Sequence, residues 1–278
     1  LFHGPTLAFK DVGARFLARV MSYFANFGGR PINVLAATSG DTGSAVANGF
    51  LGVENVYVHV LYPKGLVSKL QELQFTTLGQ NITAYEVSGV FDDCQRMVKD
   101  AFMDKQLNEE KILTSANSTN LARFLPQSVY YFYALSQIPR EEWKNVVVSV
   151  PSGNFGDITA GLIAWKMGMP VKRFVAAVNA NRVFTDYLQS GEYKPAPSIA
   201  TIANAMDVGD PSNFARVSEL FGASATEMSK LISSYSYSDE QIATTIKEVK
   251  NQTGYICDPH GAVGYAALRD HMQDGELG

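Results

Sequence analysis

Pro31-Ile32-Asn33-Val34-Leu35-Ala36-Ala37-Thr38-Ser39-Gly40-Asp41-Thr42-Gly43 is the stretch whose reading decides the fold. It opens as a short apolar, β-branched run and passes through a polar turn with two glycines into a helical pattern carrying Ala45, Val46 and Phe50. That order predicts a strand, a turn and a helix. The alternation continues outward. Strands are predicted at 56–61, 82–87, 112–115, 146–150 and 174–178, and helices at 67–78, 91–102, 121–135, 158–167, 214–221, 238–249 and 262–272; 183–212 reads as irregular and polar. Alternating strands and helices imply an α/β fold of parallel sheets covered on both faces, with sites at the carboxyl ends of strands. The polar break Ile138-Pro139-Arg140-Glu141-Glu142 predicts a boundary between a domain at 1–140 and one at 141–278.

On the N-terminal side lies His3-Gly4-Pro5-Thr6-Leu7-Ala8-Phe9-Lys10-Asp11, followed by a helical stripe of Val12, Phe16, Leu17, Val20, Met21 and Phe24 that Gly28-Gly29 closes. With Thr6 as N-cap, Lys10 falls in the first turn. There the positive helix end and the apolar Leu7, Ala8 and Phe9 disfavour an ammonium, and a free amine is a nucleophile. A solvated helix lysine is the alternative at that position.

Composition narrows the classes. The chain has 278 residues, 46% hydrophobic and 18% charged, with a net charge of −4. A chain of this length buries a full core, and a mild negative charge gives no reason to expect nucleic acid or an anionic membrane as partner. Cys94 and Cys257 stand without CxxC spacing or a histidine at ligand spacing, so neither a metal site nor a disulfide framework is expected. No apolar run reaches membrane-spanning length and no leader pattern opens the chain, so a cytoplasmic protein is expected. Both ends resemble cuts through a longer protein. Monomer and homodimer both stay open.

Three strand-to-helix turns share one chemistry: 38–43, 115–120 and 152–157. Each sets hydroxyls, amides and small residues where the unpaired N–H groups of a helix start point outward, so each can hold an anion. Singly they are also what caps and tight turns require. In the third, Gly153 and Gly156 allow close main-chain approach and Asn154 adds a donor; neither a Walker loop nor GxGxxG is present. In the second, Arg123 follows Asn120 by one helical turn and can reach back toward what Asn117 and Ser118 hold, in a geometry suited to phosphate. Three anion sites and one nucleophilic lysine suit an amino-acid enzyme that uses pyridoxal phosphate. His260, in Asp258-Pro259-His260-Gly261, reads as part of a helix-capping turn.

Taken together, Leu1-Phe2-His3-Gly4-Pro5-Thr6-Leu7-Ala8-Phe9-Lys10-Asp11, Thr38-Ser39-Gly40-Asp41-Thr42-Gly43, Ser115-Ala116-Asn117-Ser118-Thr119-Asn120, Pro151-Ser152-Gly153-Asn154-Phe155-Gly156-Asp157 and Asn204-Ala205-Met206-Asp207 resemble the threonine synthases, in the fold-type II group of pyridoxal phosphate enzymes. The resemblance implies a tryptophan synthase β-like architecture of two parallel-sheet domains with the cofactor cleft between them. It implies that Lys10 is the Schiff-base lysine and moves protons at the substrate carbons. Gly153, Asn154, Phe155, Gly156 and Asp157 then cradle the cofactor phosphate. Thr38, Ser39, Asp41 and Thr42 bind the substrate carboxylate and flank the ring, Asp41 standing near its hydroxyl. Asn117, Ser118 and Arg123, with Asn154, hold the phosphate of O-phospho-L-homoserine, which is converted with water to L-threonine and phosphate. Another fold-type II lyase, such as a serine or threonine deaminase or a cysteine synthase, and a non-catalytic binding protein of the same fold are the competing readings. The serine or threonine that contacts the pyridine nitrogen in such enzymes has no match here and is expected beyond Gly278. A domain before the lysine motif is expected as well.

Overall fold

The computed structural model describes residues 4–117 and 120–278, so Ser118 lies outside the described residues. The chain divides into two compact units, Leu1–Pro126 and Gln127–Gly278.

The first unit runs α1 (Lys10–Gly28), β1 (Ile32–Ala37), α2 (Asp41–Phe50), β2 (Val56–Pro63), α3 (Lys69–Thr76), β3 (Ile82–Val87), α4 (Phe91–Met103), α5 (Lys105–Glu110), β4 (Ile112–Ser115) and α6 (Leu121–Phe124). Its four strands form a parallel sheet in the order β3-β2-β1-β4, with Val34 opposite Val58 and Ala36 opposite Val60. Successive residues of β1 feed opposite cores, as the two-residue period of a strand requires. Val34 and Ala36 join Leu17, Phe50 and Phe75 on one face, while Leu35 and Ala37 join Cys94 and Val98 on the other.

α1 departs from its predicted stripe. Leu17 and Met21 are buried with Ala14, Ala18 and Ala25, whereas Val12, Phe16 and Phe24 are exposed. The cause is the closeness of α2, where the backbone at Gly49 approaches Ala14 and admits small residues only. The predicted helix 121–135 is also broken. Pro126 sits in a 3-10 turn, Leu125–Gln127, between α6 and α7 (Ser128–Ser136), because proline lacks the N–H that a continuous helix needs. Leu121, Leu125, Val129 and Phe132 of this stretch are exposed.

α7 opens the second unit, which continues with β5 (Val147–Pro151), α8 (Gly156–Lys166), β6 (Arg173–Val178), α9 (Val183–Ser190), α10 (Phe214–Leu220), α11 (Ala225–Ser229), β7 (Ile232–Ser236), α12 (Asp239–Thr253) and α13 (Pro259–His271). The division between units therefore falls at Pro126 and Gln127, ahead of the polar break at 138–142. The side chain responsible is Tyr131, whose ring meets Phe174 edge-on at 6.1 Å between centroids and whose hydroxyl donates to the Asp157 carbonyl at 2.8 Å. The strands lie parallel in the order β5-β6-β7. Val147, Val175 and Ala177 pack on the alanine-rich face of α13 and on Ile242 and Val249 of α12. Helix α9 occupies the start of the stretch expected to be irregular, and β7 was not anticipated, since Ser233, Ser234 and Ser236 give it the look of a loop.

Candidate functional site

In the first unit the approach to Lys10 is built by a clamp that sequence patterns do not reveal. Thr6 is not the N-cap; Phe9 holds that position without a side-chain bond. Thr6 instead donates its N–H and its hydroxyl to the two carboxylate oxygens of buried Asp11, at 3.0 and 2.7 Å. Lys10, first residue of α1, carries its Nζ to 3.4 Å from Asp41 Oδ2, with the two side chains 19% and 24% exposed. The Phe9 ring centroid lies 5.9 Å away. The surroundings of the amine are thus a carboxylate beside an aromatic ring, not the purely apolar setting expected from Leu7, Ala8 and Phe9.

Asp41 begins α2 and is held from the other side by Gln71, whose amide donates to Oδ1. Gln71 is in turn fixed by the Ser68 hydroxyl at 3.0 Å, Ser68 being the N-cap of α3. No motif pointed to Gln71. Gly40 allows this turn to exist: its φ of 144° belongs to glycine, and a Cβ would strike the Gln71 amide.

Thr38 has a different task from the carboxylate contact expected of it. Its buried hydroxyl accepts from the N–H groups of Gly40 and Gly43 at 2.9 and 2.8 Å and donates to the Gly40 carbonyl at 3.2 Å. That uses the full capacity of a hydroxyl, so Thr38 shapes the turn. Ser39 is exposed and Thr42 half-buried, and as early residues of a ten-residue helix Asp41 and Thr42 have N–H groups without intrahelical acceptors.

The second turn leaves β4, the neighbour of β1. Because β2 and β3 lie to one side of β1 and β4 to the other, the strand order reverses between them. Open α/β sheets form their binding crevice at such a reversal, outside the carboxyl ends of the strands. Turns 38–43 and 115–120 flank it. Asn120 caps α6 through Ala122 N–H at 3.0 Å, and Arg123 is buried with a guanidinium N–H donated to the Ala116 carbonyl. Its reach back into the turn is as expected, and it is no surface arginine. The buried Asn117 Oδ1 has no partner among the described residues. Rotating that amide by a half-turn presents its NH2 to an anion instead.

In the second unit β5 ends in the turn 152–157. Beyond α13 the chain returns to the start of β5, where Leu277 bridges Val146 in parallel. Phe155 takes the left-handed conformation, φ 62°, as N-cap of the eleven-residue α8. Gly156, Asp157 and Ile158 follow it, and the first turn of the helix closes with the Thr159 N–H donated to the Phe155 carbonyl at 3.1 Å. This leaves a fan of main-chain donors at the positive end of a helix, a donor set that fits a phosphate.

The wall of this turn comes from 58 and 59 residues further along the sequence, and no motif marks it. Asn213 donates its N–H and its Nδ2 to the Asn154 carbonyl at 3.3 and 2.9 Å, and Ser212 donates its N–H and hydroxyl to Asn154 Oδ1 at 3.3 and 3.1 Å. Gly153 is pressed on the 3-10 turn Asn204–Met206, where a Cβ would lie 2.7 Å from Met206 Cα. Its smallness thus serves contact with protein backbone. Burial pushes the Asp157 carboxyl up to about 6, against a hydrogen bond of 3.1 Å from the Tyr131 hydroxyl that lowers it. Burial also drives the Tyr131 phenol well above its usual range.

Among the described residues, no group of three or more His, Cys, Asp or Glu could hold a metal ion, and no helix is long and apolar enough to cross a membrane. Lysine, anion-binding helix starts and glycine turn fit a phosphorylated aldehyde cofactor.

Comparison with known proteins agrees with that fit. The chain is 50% identical to threonine synthases of Serratia marcescens and Escherichia coli over all 278 residues, and it spans 64% of the length of each. Its fold matches a crystal structure of the E. coli threonine synthase with a TM-score of 0.92, covering 100% of this chain and 64% of that one. A structure of PLP-bound threonine synthase from Brucella melitensis, 36% identical, matches with a TM-score of 0.91 over 99% of this chain and 65% of that one. The family model described as "Pyridoxal-phosphate dependent enzyme" matches residues 1–278, and the chain belongs to that family.

Proposed function

We propose that the protein carrying this chain is a cytoplasmic threonine synthase that converts O-phospho-L-homoserine and water to L-threonine and phosphate. The observation that carries the reading is the likeness to threonine synthases, 50% identity over all 278 residues. In this reading the first unit supplies the lysine and the substrate contacts, and the second holds the cofactor phosphate.

Pyridoxal phosphate, when bound, draws electron density from the carbons next to the substrate amine. Lys10 Nζ would be the amine that holds its aldehyde, and the same nitrogen would carry protons at the substrate Cα and Cβ. Asp41 orients that nitrogen from 3.4 Å and is itself held by Gln71. The N–H groups of residues 156–158, with Asn154 on its Ser212 and Asn213 supports, take the cofactor phosphate. Ser39 and the N–H groups of Asp41 and Thr42 take the substrate carboxylate, while Thr38 keeps their turn in shape. Arg123 offsets the charge of the phosphate that leaves Cγ while Asn117 and Ser118 hydrogen-bond it, and a fixed guanidinium at departing oxygens is what such a step requires.

Two measurements test this. The full-length protein should release inorganic phosphate from O-phospho-L-homoserine; Arg123→Ala should abolish most of that release, by about a hundredfold or more if it removes a preorganised contact to the leaving group. Ammonia from serine or threonine with no phosphate from O-phospho-L-homoserine would overturn the assignment in favour of a deaminase. Borohydride reduction followed by peptide mass analysis should place a pyridoxyl group on Lys10, and labelling at another lysine would refute its role.

A further inference from the structure

We propose that His260 is a positioning residue for the phosphate-binding turn 153–157, acting through the main-chain N–H of Ala205. The proposal rests on the reading of that turn as the cofactor-phosphate site, and it assigns a task to a side chain that a capping motif leaves idle.

The geometry is a chain of short contacts within the second unit. His260 Nε2 accepts from the Ala205 N–H at 3.1 Å. A ring nitrogen that accepts carries no proton, so the proton is on Nδ1, which donates to Asp258 Oδ1 at 2.9 Å. Asp258 is anchored in turn as N-cap of α13, accepting from the N–H groups of His260 and Gly261 at 2.8 and 3.1 Å. The His260 hydrogen bond is the largest influence holding the Asp258 carboxyl down to about 2. The imidazole thus has one nitrogen fixed by a carboxylate on a helix start, and the other is committed to a single peptide.

That peptide is 204–205, and the next one, 205–206, joined to it at the Ala205 Cα, lies against the turn. The Ala205 carbonyl oxygen and Met206 Cα lie 3.1 and 2.7 Å from where a Gly153 Cβ would stand. Contact this close leaves no slack, so the setting of the 205–206 peptide decides where the Gly153 main chain can lie. On one side of this peptide Asp207 is tied to Asn179 and Thr201 at 2.8 and 2.7 Å; further on, Asn213 is tied to Asn154 at 2.9 Å. Ala205 lies just before these anchors, and His260 is its side-chain support.

The test compares binding of pyridoxal phosphate and of pyridoxal, which lacks the phosphate, to the cofactor-free full-length protein, read by quenching of intrinsic fluorescence. In His260→Ala the affinity for pyridoxal phosphate should fall about tenfold, the scale of one lost hydrogen bond, with that for pyridoxal unchanged. His260→Gln, whose Oε1 can accept the same N–H, should stay within about threefold of wild type. Equal losses for both ligands, no loss for either, or a glutamine variant as weak as the alanine one would each overturn the proposal. If His260→Ala does not fold, His260→Met against His260→Gln carries the same contrast, since methionine lacks the strong acceptor. A wild-type protein that does not favour pyridoxal phosphate over pyridoxal would instead overturn the phosphate reading of the turn itself, which separates the two failures.

Discussion

At the scale of single residues, the surroundings of Asp157 set a pH dependence with a defined sign. Its folded carboxyl titrates at about 6, above the ordinary carboxylate range, so between the two values the folded state binds more protons than the unfolded one. The stability it contributes is complete at low pH and is lost as pH rises through 6. Denaturant midpoints of the cofactor-free protein should show wild type losing stability relative to Asp157→Asn between about pH 4 and about pH 6.5, and no further difference above that. A constant difference across the range would show that the carboxyl does not titrate there. Lys10 and Thr38 teach a related lesson at this scale: sequence marks both, yet the ion pair with Asp41 and the saturation of the Thr38 hydroxyl depend on atoms brought in by other segments. Lys10 and Asp41 stand 31 positions apart, and nothing in the sequence between them carries a pattern that pairs them.

At the scale of elements, the turn 152–157 and the turn Asn204–Met206 behave as one packed pair. Gly153→Ala should therefore destabilise the protein by about 2 kcal/mol through overpacking against the Met206 backbone, measured by denaturant midpoint. It should also weaken pyridoxal phosphate binding, because the displaced main chain leads directly into the donor fan at 156–158. A stable variant with unchanged affinity would mean that the contact has slack. Most strands were legible because apolar runs bounded by turn residues are local signals; β3 and β4 run as predicted, from Ile82 to Val87 and Ile112 to Ser115. β7 was not, since its serines are satisfied by tertiary bonds such as Ser234 Oγ to the Ala176 carbonyl at 2.8 Å. Periodicity likewise overstated the stripe on α1, because it cannot tell that α2 lies too close for large side chains.

At the scale of the whole molecule, each unit is a parallel sheet with its own core, and in the second unit the last residues are tied back to the sheet by charge. Glu276, its side chain fully enclosed, meets Arg173 at 2.7 Å and Lys172 at 3.1 Å, and the Arg173 bond is foremost in holding its carboxyl down to about 2. A depressed carboxyl contributes stability that is present above its ordinary range and lost as pH falls toward 2. Glu276→Ala should cost about 2 kcal/mol near neutral pH by denaturant midpoint, with a smaller difference in strong acid, since it leaves the partly exposed Arg173 guanidinium without its carboxylate. An unchanged midpoint would show that the latch carries no weight. By itself the sequence determined the α/β class, the order of most strands and the three turns with the lysine, because strand runs, glycine turns and helix starts are written in neighbouring residues. Only the tertiary structure decided that Asp41 faces Lys10, that Arg123 is buried, that α7 belongs with the second unit, that Asn213 reaches Asn154 and that His260 reaches Ala205. Those are contacts between side chains and main chain far apart along the chain, and packing selects them from many equivalent polar residues that local patterns cannot tell apart.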